Sequence, residues 1–135
     1  MNKKHLALLV AGLLGLGAGA ANASEIVVIV HPTAASPTRE QVADAFLGKS
    51  LAYTPIDQAE EAPIRAEFYL KATGRDLAQV KSAWSRIVFT GRGQPPREAI
   101  DAAAVKRAVA NDPKAIGYID KSALDASVKA GLTLH

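Results

Sequence analysis

The sequence predicts an α/β domain in which helices pack on a small, largely parallel β-sheet around one core. Three observations carry that prediction. Glu25-Ile-Val-Val-Ile-Val-His31 is an unbroken run of β-branched residues, the pattern of a strand buried on both faces. The segments after it alternate between short apolar runs and stretches whose apolar residues recur at helical spacing, the order expected of strands joined by helices. The chain has 135 residues and no cysteine, so a single core must be held by packing without disulfides.

Taken in order, the first strand leads into a loop, Pro32-Thr-Ala-Ala-Ser-Pro-Thr38. Thr38 and Gln41 have capping-box spacing, Val42, Ala45 and Phe46 follow on one helical face, and Gly48 stops that helix. Leu51 to Ile56 reads as a short strand broken by Pro55, and Asp57-Gln-Ala-Glu-Glu-Ala62 as a polar loop. A helix is predicted from Pro63, a favoured first-turn residue, to Gly74, with Ile64, Phe68 and Ala72 on one face. Asp76 caps the next helix, in which Leu77, Val80, Trp84 and Ile87 share a face. A further helix is predicted over about 98–111, turning Ile100, Val105, Ala108 and Val109 inward. Asn111 to Lys114 is a turn, Ala115 to Ile119 a strand, Asp120 to Ser122 a capped turn opening a short helix, and Val128 to Leu134 a last strand.

Residues 1–23 stand apart. Lys3 and Lys4 precede an uncharged apolar stretch, Leu6 to Ala20, and Ala21-Asn-Ala23 has the small-x-small form of a cleavage site. This is the pattern of a secretory signal peptide cut after Ala23. The apolar stretch is shorter than the roughly 20 residues a membrane span requires, and there is no cysteine for a lipid anchor. Cleavage leaves 24–135 as one domain of 112 residues. With Lys3 and Lys4 removed, 14 Lys and Arg face 13 Asp and Glu. So even a balance, in an exported protein, argues against a nucleic-acid partner.

Catalytic constellations are thin. The domain has two histidines, His31 and His135, and neither a nucleophile–base pair nor a metal-ligand spacing emerges, so no catalytic residue, metal or cofactor is predicted. Oxyanion binding has better ingredients. Thr33, Ser36 and Thr38 lie on a loop that ends at a helix N-terminus, where free N–H groups and the helix dipole suit anions. Arg65 falls in the first turn of its helix, where a cation needs an anion or a carboxylate partner; an oxyanion and Glu60 or Glu61 are equal candidates. Thr90-Gly-Arg-Gly93 offers the Thr90 hydroxyl and the Arg92 guanidinium. By pattern alone the favoured reading of this stretch is that Gly91 is the left-handed cap ending the Trp84 helix and Pro95-Pro96 launches the next segment.

Phe46-Leu-Gly-Lys49, Arg65 with Phe68, Trp84-Ser-Arg-Ile-Val-Phe-Thr-Gly-Arg-Gly-Gln-Pro-Pro96 and Asp112-Pro-Lys-Ala-Ile-Gly-Tyr-Ile119 follow one another along the chain. Together they resemble the small periplasmic proteins related to the substrate-binding protein of the phosphate ABC transporter, in the type II periplasmic binding-protein group. The resemblance implies a single binding-protein lobe, a periplasmic location and no catalysis. It implies phosphate or a similar small oxyanion as ligand, with an inner-membrane transporter or sensor as partner. In the larger, two-lobed relatives a Ser-Gly-Thr-Arg run at the start of the second helix contacts phosphate. The matching stretch here is Ala62-Pro-Ile-Arg65, which keeps the arginine, lacks both hydroxyls and has a proline without an N–H. Binding is therefore expected to be weak. The alternative is a ligand-free module that keeps the lobe and contacts a membrane protein.

Overall fold

The computed structural model describes residues 25–135, so the predicted signal peptide, 1–23, lies outside the described residues. Strand β1 (Ile26–Val30) is followed by helix α1 (Arg39–Phe46), β2 (Thr54–Gln58), α2 (Pro63–Thr73) and α3 (Leu77–Phe89). Then come β3 (Arg97–Ala99), α4 (Ala102–Ala110), β4 (Ala115–Asp120), a 3-10 turn (Lys121–Ala123) and β5 (Lys129–Leu134). The five strands form one sheet in the order β3-β2-β4-β1-β5. β2 runs parallel to β3 and β4, while β1 is antiparallel to both β4 and β5. Four strands therefore point one way and β1 opposes them, the α/β architecture with a largely parallel sheet.

β1 is buried throughout because both faces of the sheet are covered. Ile26, Val28 and Val30 pack with α1, α2 and α3 in one cluster, and Val27 and Ile29 pack with Val105 and Val109 of α4 in the other. Successive strand side chains point to opposite faces, so the unbroken β-branched run serves two cores. On the three-helix side an aromatic layer forms from Phe46, Phe68, Tyr69 and Tyr118, with Phe68 stacked on Tyr118 at 3.9 Å between ring centroids. Trp84 joins it, its indole N–H donating to the Phe46 carbonyl at 2.9 Å.

Local signals place the helix ends. Thr38 with Gln41 and Asp76 with Gln79 form complete capping boxes, and Gly74 ends α2 in the left-handed region at φ 73°. Gly48 is required twice over: φ is 76°, and a Cβ there would lie 2.5 Å from Ile87 Cδ1 and 2.9 Å from Trp84. The corner after α3 is a Schellman cap: the Gly91 N–H donates to Val88 O and the Arg92 N–H to Ile87 O. Of the two readings of that glycine, helix cap is the one the backbone adopts.

Three expectations need correction. β2 begins at Thr54 and continues through Asp57 and Gln58, both of which are buried. Pro55 lies inside it, just before the pairing to β3 starts at Ile56, where its missing N–H leaves no ladder bond to that strand unmade. The segment predicted to start a helix at residue 98 opens instead with β3, and α4 starts after Asp101, whose carboxylate accepts from the Ala104 N–H at 2.9 Å. Ile100 consequently lies in the turn before α4 and is 83% exposed.

Candidate functional site

The chemistry gathers where β2 ends under α2. Ile56 packs toward α4, so Asp57, one residue on, faces the aromatic layer. Its carboxyl is 1% exposed. Tyr69 Oη donates to Oδ2 at 2.6 Å, Tyr118 Oη donates to Oδ1, and the Gln58 N–H reaches Oδ1 at 3.0 Å. The Gln58 side-chain amide donates to Tyr118 O at 2.9 Å, tying β2 to β4 a second time.

Arg65 projects from the first turn of α2 onto this group. It donates to Gln58 O at 2.9 Å and to Glu98 on β3 at 2.7 Å, and its Nε lies 3.7 Å from Asp57 Oδ2. That Nε is buried without a hydrogen-bond acceptor. The cation in the first turn is thus answered by carboxylates, Asp57 and Glu98; Glu60 and Glu61, the partners weighed from sequence, are exposed. α2 itself has Ala62 at its N-cap, with no side-chain cap and no acidic residue in its first turn.

The electrostatics follow from burial. Desolvation pushes the Asp57 carboxyl above its ordinary 3.8, although donation by Tyr118 and Tyr69, the field of Arg65 and the Gln58 N–H pull it down. Burial, reinforced by the Asp57 charge, raises both phenols far above the usual tyrosine range, so they remain donors. Burial pulls the Arg65 guanidinium down, and Glu98 and Asp57 more than offset this, leaving it raised.

Beside the network opens a cleft of about 500 Å³. Asp57, Glu60, Arg65 and Glu98 line its polar end, with Lys81 also on the wall; α3 contributes Leu77, Val80, Trp84, Val88 and Phe89. Phe89 is 92% exposed. Three carboxyl groups face two cations here, and the apolar wall with a few convergent polar groups has the form of a small-ligand site.

None of the other five predicted oxyanion residues lines this cleft. Thr33 is exposed and bonded to His31 Nδ1 at 2.8 Å; Ser36 is exposed on the same loop. The Thr38 hydroxyl accepts from the Gln41 N–H as the cap of α1. Thr90 donates back to Arg86 O and Ile87 O and accepts from Arg92 Nε at 3.0 Å, and Arg92 opens onto other concavities. Sequence reasoning missed Asp57, Gln58, Tyr69, Tyr118 and Glu98. The available signal was an aspartate directly after Ile56, together with tyrosines inside otherwise apolar elements.

No family model matches the sequence, and no curated protein matches it. Solved structures do share its fold. An ABC-type phosphate transport receptor from Vibrio cholerae aligns over 79% of the chain with a TM-score of 0.61 and 16% identity. A phosphate ABC transporter substrate-binding protein with bound phosphate from Clostridium perfringens aligns over 79% with a TM-score of 0.63 and 19% identity. The protein thus has the α/β fold of these periplasmic-type substrate-binding proteins. It spans 45% and 44% of their chains, less than half of either.

Proposed function

We propose that the protein is a solute-binding lobe of the phosphate ABC transporter type, exported to the periplasm, which takes phosphate or a similar oxyanion weakly. The observation that carries this reading is the shared fold with two phosphate-transport proteins, one of them holding phosphate. Arg65 is the anchor we assign. Its Glu98 partner is half exposed while Arg65 itself is largely buried, so an incoming anion takes the place of Glu98 by giving the guanidinium an equivalent charge-assisted bond. Weak binding goes with this reading because an anion beside Arg65 would also meet Asp57, Glu60 and Glu98 in the same cleft. A like charge at about 6 Å costs roughly 1–3 kcal/mol at the effective dielectric of a protein surface. An inner-membrane transporter or sensor is the partner that goes with this reading.

Thermal unfolding of the purified protein in phosphate, sulfate, nitrate and chloride at matched ionic strength is the test. At 100 times the dissociation constant a ligand adds about 2.7 kcal/mol, enough to raise the midpoint by several degrees. The expected result is a rise with phosphate that is absent in Arg65→Gln, judged as the ligand-dependent difference within each variant. An unchanged midpoint in all four salts rejects the proposal.

A further inference from the structure

A second charged concavity shares no residue with the Arg65 cleft. It has a volume of about 450 Å³ and is lined by Lys49, Arg75, Arg86 and Arg92 together with Leu47, Gly48, Ala83 and Ile87. Among the described residues no carboxylate lines it. The four cations come from four places in the chain: just past α1, between α2 and α3, the last turn of α3, and the corner beyond it. We infer that this concavity is a second anion site, suited to a small ligand carrying two or more linked phosphate groups.

Elsewhere some cations are paired and others, such as Arg39, Arg97 and Arg107, stand in no ion pair among the described residues; what sets these four apart is that they share one concavity without a carboxylate on its walls. Arg65, Lys71, Lys106 and Lys121 each face a carboxylate. Among the described residues, none of the four cations here takes part in an ion pair, and Arg92 reaches only the Thr90 hydroxyl. Outside the four, residues 25–135 carry 10 Lys and Arg against 13 Asp and Glu, so these four turn the balance of the domain from acidic to slightly basic. Cations near helix C-termini are individually favourable through the dipole, and each of the four lies within about a turn of one: Lys49 after α1, Arg75 after α2, Arg86 and Arg92 at the end of α3. The dipole does not account for four like charges brought to one concavity with no counter-charge, an arrangement whose repulsion a bound polyanion would relieve.

The backbone around the cations is set by close packing and caps. Gly48 sits in the left-handed region against Trp84 and Ile87, which fixes the chain leading to Lys49. The Schellman cap at Gly91 fixes the start of Arg92. Three of the four are arginines, whose planar forks match phosphate oxygens in pairs. The cations stand on separate walls of an open concavity, so linked phosphates can meet several of them at once where a single orthophosphate meets fewer. Concavity favours a small molecule over a flat membrane surface.

The test measures binding of pyrophosphate and of orthophosphate to the full chain by calorimetry, at two salt concentrations, in the wild type, Arg86→Gln/Arg92→Gln and Arg65→Gln. Both arginines of the double variant are exposed, so folding is retained. Pyrophosphate is expected to bind more tightly than orthophosphate and to weaken with salt. For pyrophosphate the double variant should lose about tenfold or more in affinity and Arg86→Lys/Arg92→Lys should fall in between, whereas Arg65→Gln should lose the orthophosphate response and keep the pyrophosphate binding that depends on Arg86 and Arg92. Absence of pyrophosphate binding overturns the inference, as does a loss confined to Arg65→Gln. Binding seen only with phosphatidylglycerol vesicles, and not with pyrophosphate, also overturns it. Pyrophosphate binding that depends on Arg86 and Arg92 upholds the inference even where orthophosphate produces no effect at Arg65, so the two proposals can fail separately.

Discussion

At Asp57 a single buried carboxyl is met by three donors and a guanidinium, whereas at the corner of Lys49, Arg75, Arg86 and Arg92 four exposed or half-exposed cations meet no carboxylate at all. The first arrangement holds the fold together: its members come from β2, α2, β3 and β4, and each satisfies another. The second contributes nothing comparable to the fold and leaves its charge on offer to solvent. A buried charge survives only with partners, so Asp57 marks structure, and Arg65 is the one member of its network proposed to reach from it to a ligand. Convergent charge without partners is where a ligand has something to gain.

That contrast can be broken most decisively at Asp57. Asp57→Ala removes the acceptor for both phenols and the buried counter-charge of Arg65. The expected loss is about 3–5 kcal/mol, read from urea unfolding; a loss under about 1 kcal/mol would mean the network is dispensable.

A smaller effect is expected from pH. Because burial raises the Asp57 carboxyl above 3.8, the folded state holds its proton to higher pH than the unfolded chain does. The contribution is complete below 3.8 and is lost as pH rises through the folded value, so stability falls across that window. Asp120 and Asp125 act oppositely: the Ser122 N–H and hydroxyl lower the first, and Lys106 with Ser127 lowers the second. Their contribution is present above 3.8 and lost as pH falls. Subtracting the stability–pH curve of Asp57→Asn from that of the wild type isolates the falling component, and a flat difference would contradict it.

The smallest effect belongs to the basic corner. Arg86→Gln/Arg92→Gln should change unfolding stability by no more than about 0.5 kcal/mol, while pyrophosphate binding is lost. A large destabilisation would place these arginines among the structural groups and erase the distinction between the two regions.

Much of the scaffold was legible in local sequence. Thr38 with Gln41, Asp76 with Gln79, and Gly74 set helix ends through contacts spanning at most four residues, and the β-branched run of β1 announced a strand covered on both sides. The candidate site was far less legible. Asp57 and Gln58 look like the start of a loop because they are polar and follow Pro55; only pairing to β3 and β4 makes them strand. β3 is three residues, Arg97-Glu-Ala99, with no apolar alternation to betray it. Ile100 appeared to be an inward helical position until Asp101 took the cap.

From local sequence came the α/β class, the helix starts capped by Thr38 and Asp76 and the glycines at the corners. Tertiary structure alone decided which carboxylates answer Arg65, that Tyr69 and Tyr118 close on Asp57 from 12 and 61 residues away, and that four scattered cations share one concavity. The physical reason is range. Caps and turns are satisfied within a few residues, but a buried charge and a charged concavity are defined by groups that only folding brings together.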